Sequence, residues 1–233
     1  MEQDSETGFI YAEQIRSAVF GANEHDLERG GPLSACVVFG PTGAGKKDVA
    51  LRAEQWLQSH GLKTVTIDHA ALWSAHPERD SLNQGDIDRT ICRWRDTAIG
   101  EAAQRKLGVV ITAPLESRSE AVTLLDSLQA QGYKAFAFAV CTPETQRTGV
   151  MHPNRSERDH ASYTDLGNIA DTVKNHSAVV KLSLVSRQCE SFSTNGSVSQ
   201  GVRQAREALL QEARTPALVG RRSSSQLRNE RGR

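Results

Sequence analysis

A chain of 233 residues with 38% hydrophobic and 5% aromatic content is long enough to bury the core of one α/β domain with tails, and too short for two independent enzymes. Its 28 basic and 28 acidic residues balance, so bulk charge gives no case for nucleic-acid binding, and no apolar run approaches the roughly 18 residues that would cross a bilayer. The acidic start "MEQDSETGFIYAEQ" lacks the basic and apolar regions of a secretory signal, which makes the expected compartment cytoplasmic.

In chain order, a leading helix is predicted at about residues 10–20, followed by short apolar runs that alternate with longer amphipathic segments. Strands are predicted at 34–40 ("SACVVFG"), 63–68 ("KTVTID"), 107–112 ("LGVVIT"), 134–140 ("KAFAFAV") and 178–185 ("AVVKLSLV"). Helices are predicted at 46–60, 84–105, 117–131, 143–152 and 165–175, with a closing helix at 198–213. That alternation implies crossover helices on a five-stranded, mainly parallel sheet, the three-layer α/β sandwich of P-loop NTPases. Residues 1–213 would form the domain. Residues 214–233, with six arginines and one glutamate and, in "GRRSSSQLRNERGR", almost nothing apolar, would be a disordered tail, and any nucleic-acid contact would be made there. The polar stretch 151–165 would connect two helices as a lid.

Cys36, Cys92, Cys141 and Cys189 form no C-x-x-C pair, so neither a zinc site nor a disulfide framework is expected, and Cys36 and Cys141 read as buried free thiols. Nor is there a metal-binding histidine spacing or a G-x-S-x-G nucleophile elbow.

The stretch "VVFGPTGAGKKDVALRAEQWL" carries the clearest chemistry. Gly40, Pro41, Thr42, Gly43, Ala44, Gly45 and Lys46 follow an apolar strand and open a helix, the context in which G-x-x-x-x-G-K cradles nucleotide phosphates. Backbone N–H groups would surround the β-phosphate, and the Lys46 ammonium would reach the β and γ oxygens. ATP or GTP is the expected cofactor. Lys47 stands where a Ser or Thr hydroxyl would hold magnesium, and an ammonium has no lone pair to offer a metal. Lys47 therefore either contacts phosphate itself and replaces part of the cation's charge, or points to solvent. In the second case the site would bind nucleotide weakly or without metal; magnesium stays a candidate companion of the nucleotide, its usual Ser/Thr ligand replaced by Lys47, and no protein metal ligand is assigned.

Asp68 ends the second predicted strand. If that strand lies beside the one carrying the loop, the carboxylate falls near the γ-phosphate, where a small-molecule kinase keeps the base for its acceptor hydroxyl. A helix-capping or turn role fits Asp68 equally well.

Together "FGPTGAGKK", "IDHAALWSAHP", "GVVITAPLESRSEAVTLLDSLQAQGYKAFAFAVCTPE" and the basic stretch after it resemble the zeta-toxin family over roughly residues 10–198. Membership would imply a P-loop kinase that phosphorylates UDP-N-acetylglucosamine and is held silent by an antitoxin protein. Ile67, Asp68, His76 and Pro77 match the family's second-strand signature. The resemblance also implies that Arg155 and Arg158, with Arg147 nearby, grip the γ-phosphate, for which a planar guanidinium is suited. A solvated surface run explains the same arginines.

Three departures fall on chemistry. Lys47 replaces the hydroxyl, Ala70 stands at the family's usual catalytic aspartate, with Trp73 at the following basic position, and Thr112, Ala113 and Pro114 replace Glu-Gly-Thr at the end of the third strand. On a continuing strand, Asp68 and position 70 would lie about 7 Å apart, too far for silent substitution. Two readings stay open. One is a kinase acting on a UDP-sugar or another small hydroxyl acceptor, with Asp68, Arg155 and Arg158 catalytic. The other is a zeta-like fold that has lost transfer and serves as a nucleotide-binding or protein-interaction module.

Overall fold

The computed structural model describes residues 19–20, 33–41, 43–142, 163–186, 188, 191–192, 198, 200–202 and 204–205. The expected leading helix (apart from Val19 and Phe20), the helix at 143–152, the lid, the tail and most of the closing helix lie outside them.

Strand β1 (Ser34–Phe39) is apolar on both sides because it is central, and Ala35 to Phe39 have no exposed surface. It pairs in parallel with β3 (Gly108–Ala113) on one side and β4 (Lys134–Val140) on the other. Strand β2 (Thr64–Asp68) pairs with β3, and β5 (Val179–Val185) pairs with β4. The order is β2-β3-β1-β4-β5-β6, in which β6 (Ser191–Phe192) runs antiparallel to β5. The sheet thus has six strands rather than the expected five, the sixth being a two-residue pairing too short to leave a pattern in the sequence. More consequential, β2 does not border β1: β3 lies between them, because the crossover after β1 skips a place in the sheet.

One face of the sheet is covered by α2 (His69–Ala75), α3 (Gln84–Gln104), α4 (Arg118–Ala130) and α5 (Tyr163–Lys174), packed with Val37, Phe39, Ile67, Ile111 and Ala137 into the main core. Val198, Val202 and Ala205 join that core from the described part of the closing helix. On the other face, among the described residues, α1 (Lys46–Ser59) alone lies over Cys36, Val38, Val110 and Val140, through Val49, Ala53 and Leu57. The three-layer α/β arrangement follows. Helix α2 was not legible as an element, since seven residues hold too few turns for a helical period.

Local chemistry sets the helix ends. Asn83 accepts from Asp86 N at 3.1 Å to cap α3, and Ser117 accepts from Glu120 N at 3.1 Å to cap α4. Glu120 reaches back to accept from Glu116 N at 2.8 Å, close to a capping box. Tyr133 donates from its buried hydroxyl to the Leu107 carbonyl at 2.8 Å, fastening the segment ahead of β4 to the one ahead of β3.

Cys36 and Cys141 are both fully buried, and burial pushes each thiol up to about 12. A thiol-specific reagent at pH 8 should leave both unmodified in the folded protein and label both after denaturation. Mass mapping of the modified peptides checks this, and rapid native labelling of Cys36 would contradict the central placement of β1.

Candidate phosphate-binding site

The loop after β1 is shaped by contacts that only small residues permit. Gly40 has φ +151°, and a Cβ placed on it would meet the Val140 carbonyl oxygen at 2.8 Å. The position opposite β4 therefore excludes a side chain. Gly43 and Gly45 also have positive φ, 76° and 92°. Ala44 is buried, its N–H donates to the Pro41 carbonyl at 3.2 Å, and its own carbonyl accepts from the buried Thr142 hydroxyl at 2.7 Å. Thr142, just past β4, thus clamps the loop from the neighbouring strand. Its position immediately after an apolar strand was the available signal in the sequence.

Gly45 occupies the N-cap of α1 and has no side chain with which to cap that end. The first amide groups of α1 therefore face the loop's concavity with the positive end of the helix dipole, an arrangement suited to anions. The Lys46 ammonium folds across the loop and donates to the Gly40 carbonyl at 2.9 Å and the Pro41 carbonyl at 3.0 Å. Seven of the eight residues expected to bind nucleotide are thus described as one loop, and Thr42 lies outside the described residues.

Lys47, one residue on, faces a different partner. Its ammonium lies 3.4 Å from Asp68 Oδ2, with 77% of the lysine side chain exposed and 18% of the aspartate's. The contact arises from how α1 runs back along β2. Gln58 donates to Thr64 Oγ1 at 3.2 Å, Thr66 donates to Glu54 at 3.4 Å, and Lys47 meets Asp68. Thr64, Thr66 and Asp68 alternate along β2 and share the face under α1.

Asp68 has two further partners. The Thr112 hydroxyl donates to Oδ1 at 2.6 Å, as their register pairing in adjacent parallel strands allows, and the Ala70 N–H donates to the same oxygen at 3.2 Å, capping α2. Asp68 therefore reaches the loop's neighbourhood across β3 and through Lys47, not from a strand beside β1. The expected 7 Å strand spacing between positions 68 and 70 does not apply either, because the chain leaves the strand at Asp68 and Ala70 lies in the first turn of α2. Lys47, Ala70 and Thr112 are thereby brought onto one carboxylate.

The remaining signature residues are structural in placement. Trp73 packs against the main core. His76 ends α2, is buried, stacks on Trp94 at 5.2 Å between ring centroids, and accepts from Glu78 N through Nδ1 at 3.2 Å. Just past Thr112, Ala113 and Pro114, the buried Leu115 has φ +45°, a left-handed conformation uncommon for that residue. Arg147, Arg155, Arg158, His152 and His160 lie outside the described residues. Among the described residues there is no group of three or more His, Cys, Asp or Glu side chains placed to hold a metal ion, and no helix is long and apolar enough to cross a membrane.

Parallel strands, a glycine loop wrapped on a helix N-terminus and a lysine folded into the loop define a P-loop protein of the kinase-like α/β type. The family model of the zeta toxins matches residues 19–191, and the chain belongs to that family. A structure from the PezAT chromosomal toxin-antitoxin system of Streptococcus pneumoniae superposes with TM-score 0.65 at 14% identity, covering 90% of this chain and 93% of that one. A gluconokinase from Sinorhizobium meliloti (21% identity, 79% and 95% covered) and a shikimate kinase from Acinetobacter baumannii (19%, 78% and 96%) superpose at TM-scores of 0.37 and 0.39, too low to add to the fold assignment. No curated protein matches the chain.

Two consequences are measurable. Gly40→Ala should destabilise the protein by about 2 kcal/mol through backbone strain and the clash with Val140, read as a lower urea midpoint at unchanged slope. Burial holds His76 below its ordinary value of 6.5, with Glu78 pulling weakly the other way. As pH falls the unfolded chain therefore takes up this proton first, and stability present above pH 6.5 is lost below it. Unfolding curves from pH 7.5 to 5.5 should show the loss, and His76→Gln should flatten it.

Proposed function

We propose that this chain binds ATP or GTP in the loop from Gly40 to Lys47 and transfers the γ-phosphate to a hydroxyl of a small acceptor. Membership of the zeta-toxin family makes a UDP-sugar the acceptor to try first. The observation carrying the reading is the Lys46 ammonium held across the loop by the Gly40 and Pro41 carbonyls, at a helix N-terminus whose N-cap is a glycine. An incoming phosphate exchanges those two carbonyls for charged oxygens and gains the helix amides as well.

In the transfer step, the acceptor oxygen forms a bond to Pγ while the bond from Pγ to the β,γ-bridging oxygen breaks. The nucleoside diphosphate leaves with that electron pair, and the hydroxyl proton passes to Asp68. Oδ2 is the oxygen suited to receive it, since Oδ1 already accepts from Thr112 and Ala70. Arg155 and Arg158 would hold the γ-phosphate as its charge spreads. An antitoxin protein and a cytoplasmic location belong to the same reading.

The engagement of Asp68 also favours a second reading. Both of its oxygens are engaged, Oδ1 by Thr112 and Ala70 and Oδ2 by the Lys47 ammonium at 3.4 Å, so an acceptor hydroxyl reaches Asp68 only by displacing Lys47. On that reading the chain binds nucleotide without transferring phosphate, and its output is a protein contact.

Calorimetric titration with ATP and GTP should show binding that Lys46→Ala weakens about tenfold or more, the loss of a charge-assisted contact. Equal affinity in wild type and Lys46→Ala would remove the loop from both readings. A radiolabelled γ-phosphate offered with a panel of UDP-sugars should then appear on the acceptor in wild type and not in Asp68→Asn. Binding without transfer across the panel selects the second reading.

A further inference from the structure

A P-loop enzyme brackets its magnesium between the hydroxyl that follows the loop lysine and an acidic side chain at the carboxyl edge of the sheet. In this chain both members of the bracket are engaged with each other. The residue following Lys46 is Lys47, and its ammonium lies 3.4 Å from Asp68 Oδ2. Magnesium demands about six oxygen donors in near-octahedral array. The hydroxyl is gone, and an ammonium donates hydrogen bonds without a lone pair to give. Asp68 Oδ1 is taken by the Thr112 hydroxyl at 2.6 Å and the Ala70 N–H at 3.2 Å, leaving one carboxylate oxygen, already opposed by a positive charge. Phosphate oxygens and water fill the rest of the array in such sites, so the protein's share is these two positions, and one of them is now a cation. The residues do not fit the metal the family would imply.

We infer that the chain binds nucleotide phosphates without a divalent cation, and that Lys47 supplies the positive charge from within. This rests on the nucleotide-binding reading above. The position of Lys47 suits that role. It lies in the first turn of α1, next to Lys46, and its side chain is mostly exposed and so able to turn from Asp68 to a phosphate oxygen. Asp68, mostly covered and fixed by Thr112 and the α2 cap, serves as the resting place that keeps the ammonium at the mouth of the loop. Lys47 would then be a phosphate-binding residue, and Asp68 and Thr112 would position it.

The test is ATP affinity measured in excess EDTA and in magnesium for wild type, Lys47→Ser, Lys47→Gln and Lys46→Ala. Wild type should bind within about twofold in the two buffers, and Lys47→Ser should lose about tenfold in EDTA and recover affinity with magnesium. Lys47→Gln, which restores no metal ligand, should lose affinity in both buffers. Paramagnetic resonance of Mn2+ added to the ATP complexes should show protein-bound metal for Lys47→Ser and only metal bound to free ATP for wild type. Wild-type binding that strengthens tenfold or more with magnesium would overturn the inference while leaving nucleotide binding intact. Binding to none of the proteins in either buffer would overturn both.

Discussion

The carboxylate of Asp68 fastens together three parts of the structure that the chain could otherwise place independently. Through Thr112 it ties the carboxyl ends of β2 and β3, through the Ala70 N–H it starts α2, and through Lys47 it reaches the first turn of α1, which lies over that face of the sheet. The hydrogen bonds to the covered oxygen do most to fix it, because bonds to a charged acceptor are worth about 1.5–3 kcal/mol. The Lys47 contact, exposed on the lysine side, adds at most about 1 kcal/mol and is free to break. A fixed carboxylate with a weakly held ammonium separates a rigid frame from a movable charge.

The loop divides its own residues in the same way. Gly40 and Ala44 are set by close packing, one against the Val140 carbonyl and one beneath the Thr142 hydroxyl, so their identities follow from space. Lys46 and Lys47 are set by charge. That division explains how a chain can keep the fold of its family while departing from it at chemical positions. Replacing a hydroxyl with Lys47 or a carboxylate with Ala70 changes side chains at helix starts that are exposed, and costs the core nothing.

What was legible in the sequence follows from what repeats. Strands β1 and β3 are buried on both faces and β4 on one face with partial cover on the other, so their apolar runs are continuous and their bounds fall within a residue or two of expectation. Glycines 40, 43 and 45 are legible because a loop with positive φ has few alternatives. The place of β2 is not, since strand order is set by which crossover packs best and leaves no trace in the strand itself. For the same reason the partnership of Asp68 with Thr112, 44 residues away, cannot be seen in the sequence, where each is an isolated polar residue at a strand end. By sequence Thr112 is a departure from the family, whereas its position makes it the residue that orients Asp68.

Charge arithmetic gives the altered site its internal logic. Two unit charges about 4 Å apart interact by about 4 kcal/mol at the effective dielectric of a protein surface, and a divalent ion doubles that. With an ammonium in the hydroxyl's place, magnesium would lose a lone pair and gain a like charge beside it, a difference of several kcal/mol that the phosphates would have to make up. Removing the metal without replacing its charge would leave the loop itself only Lys46 and the helix end to meet the triphosphate's negative charge. Lys47 resolves both problems with one side chain, and Asp68 offsets the repulsion between the two neighbouring ammonium groups before a phosphate arrives. Lys47 is the substituted member of the pair and Asp68 the residue already in place to oppose its charge, so the loop holds two adjacent lysines at rest and frees one of them when a phosphate arrives.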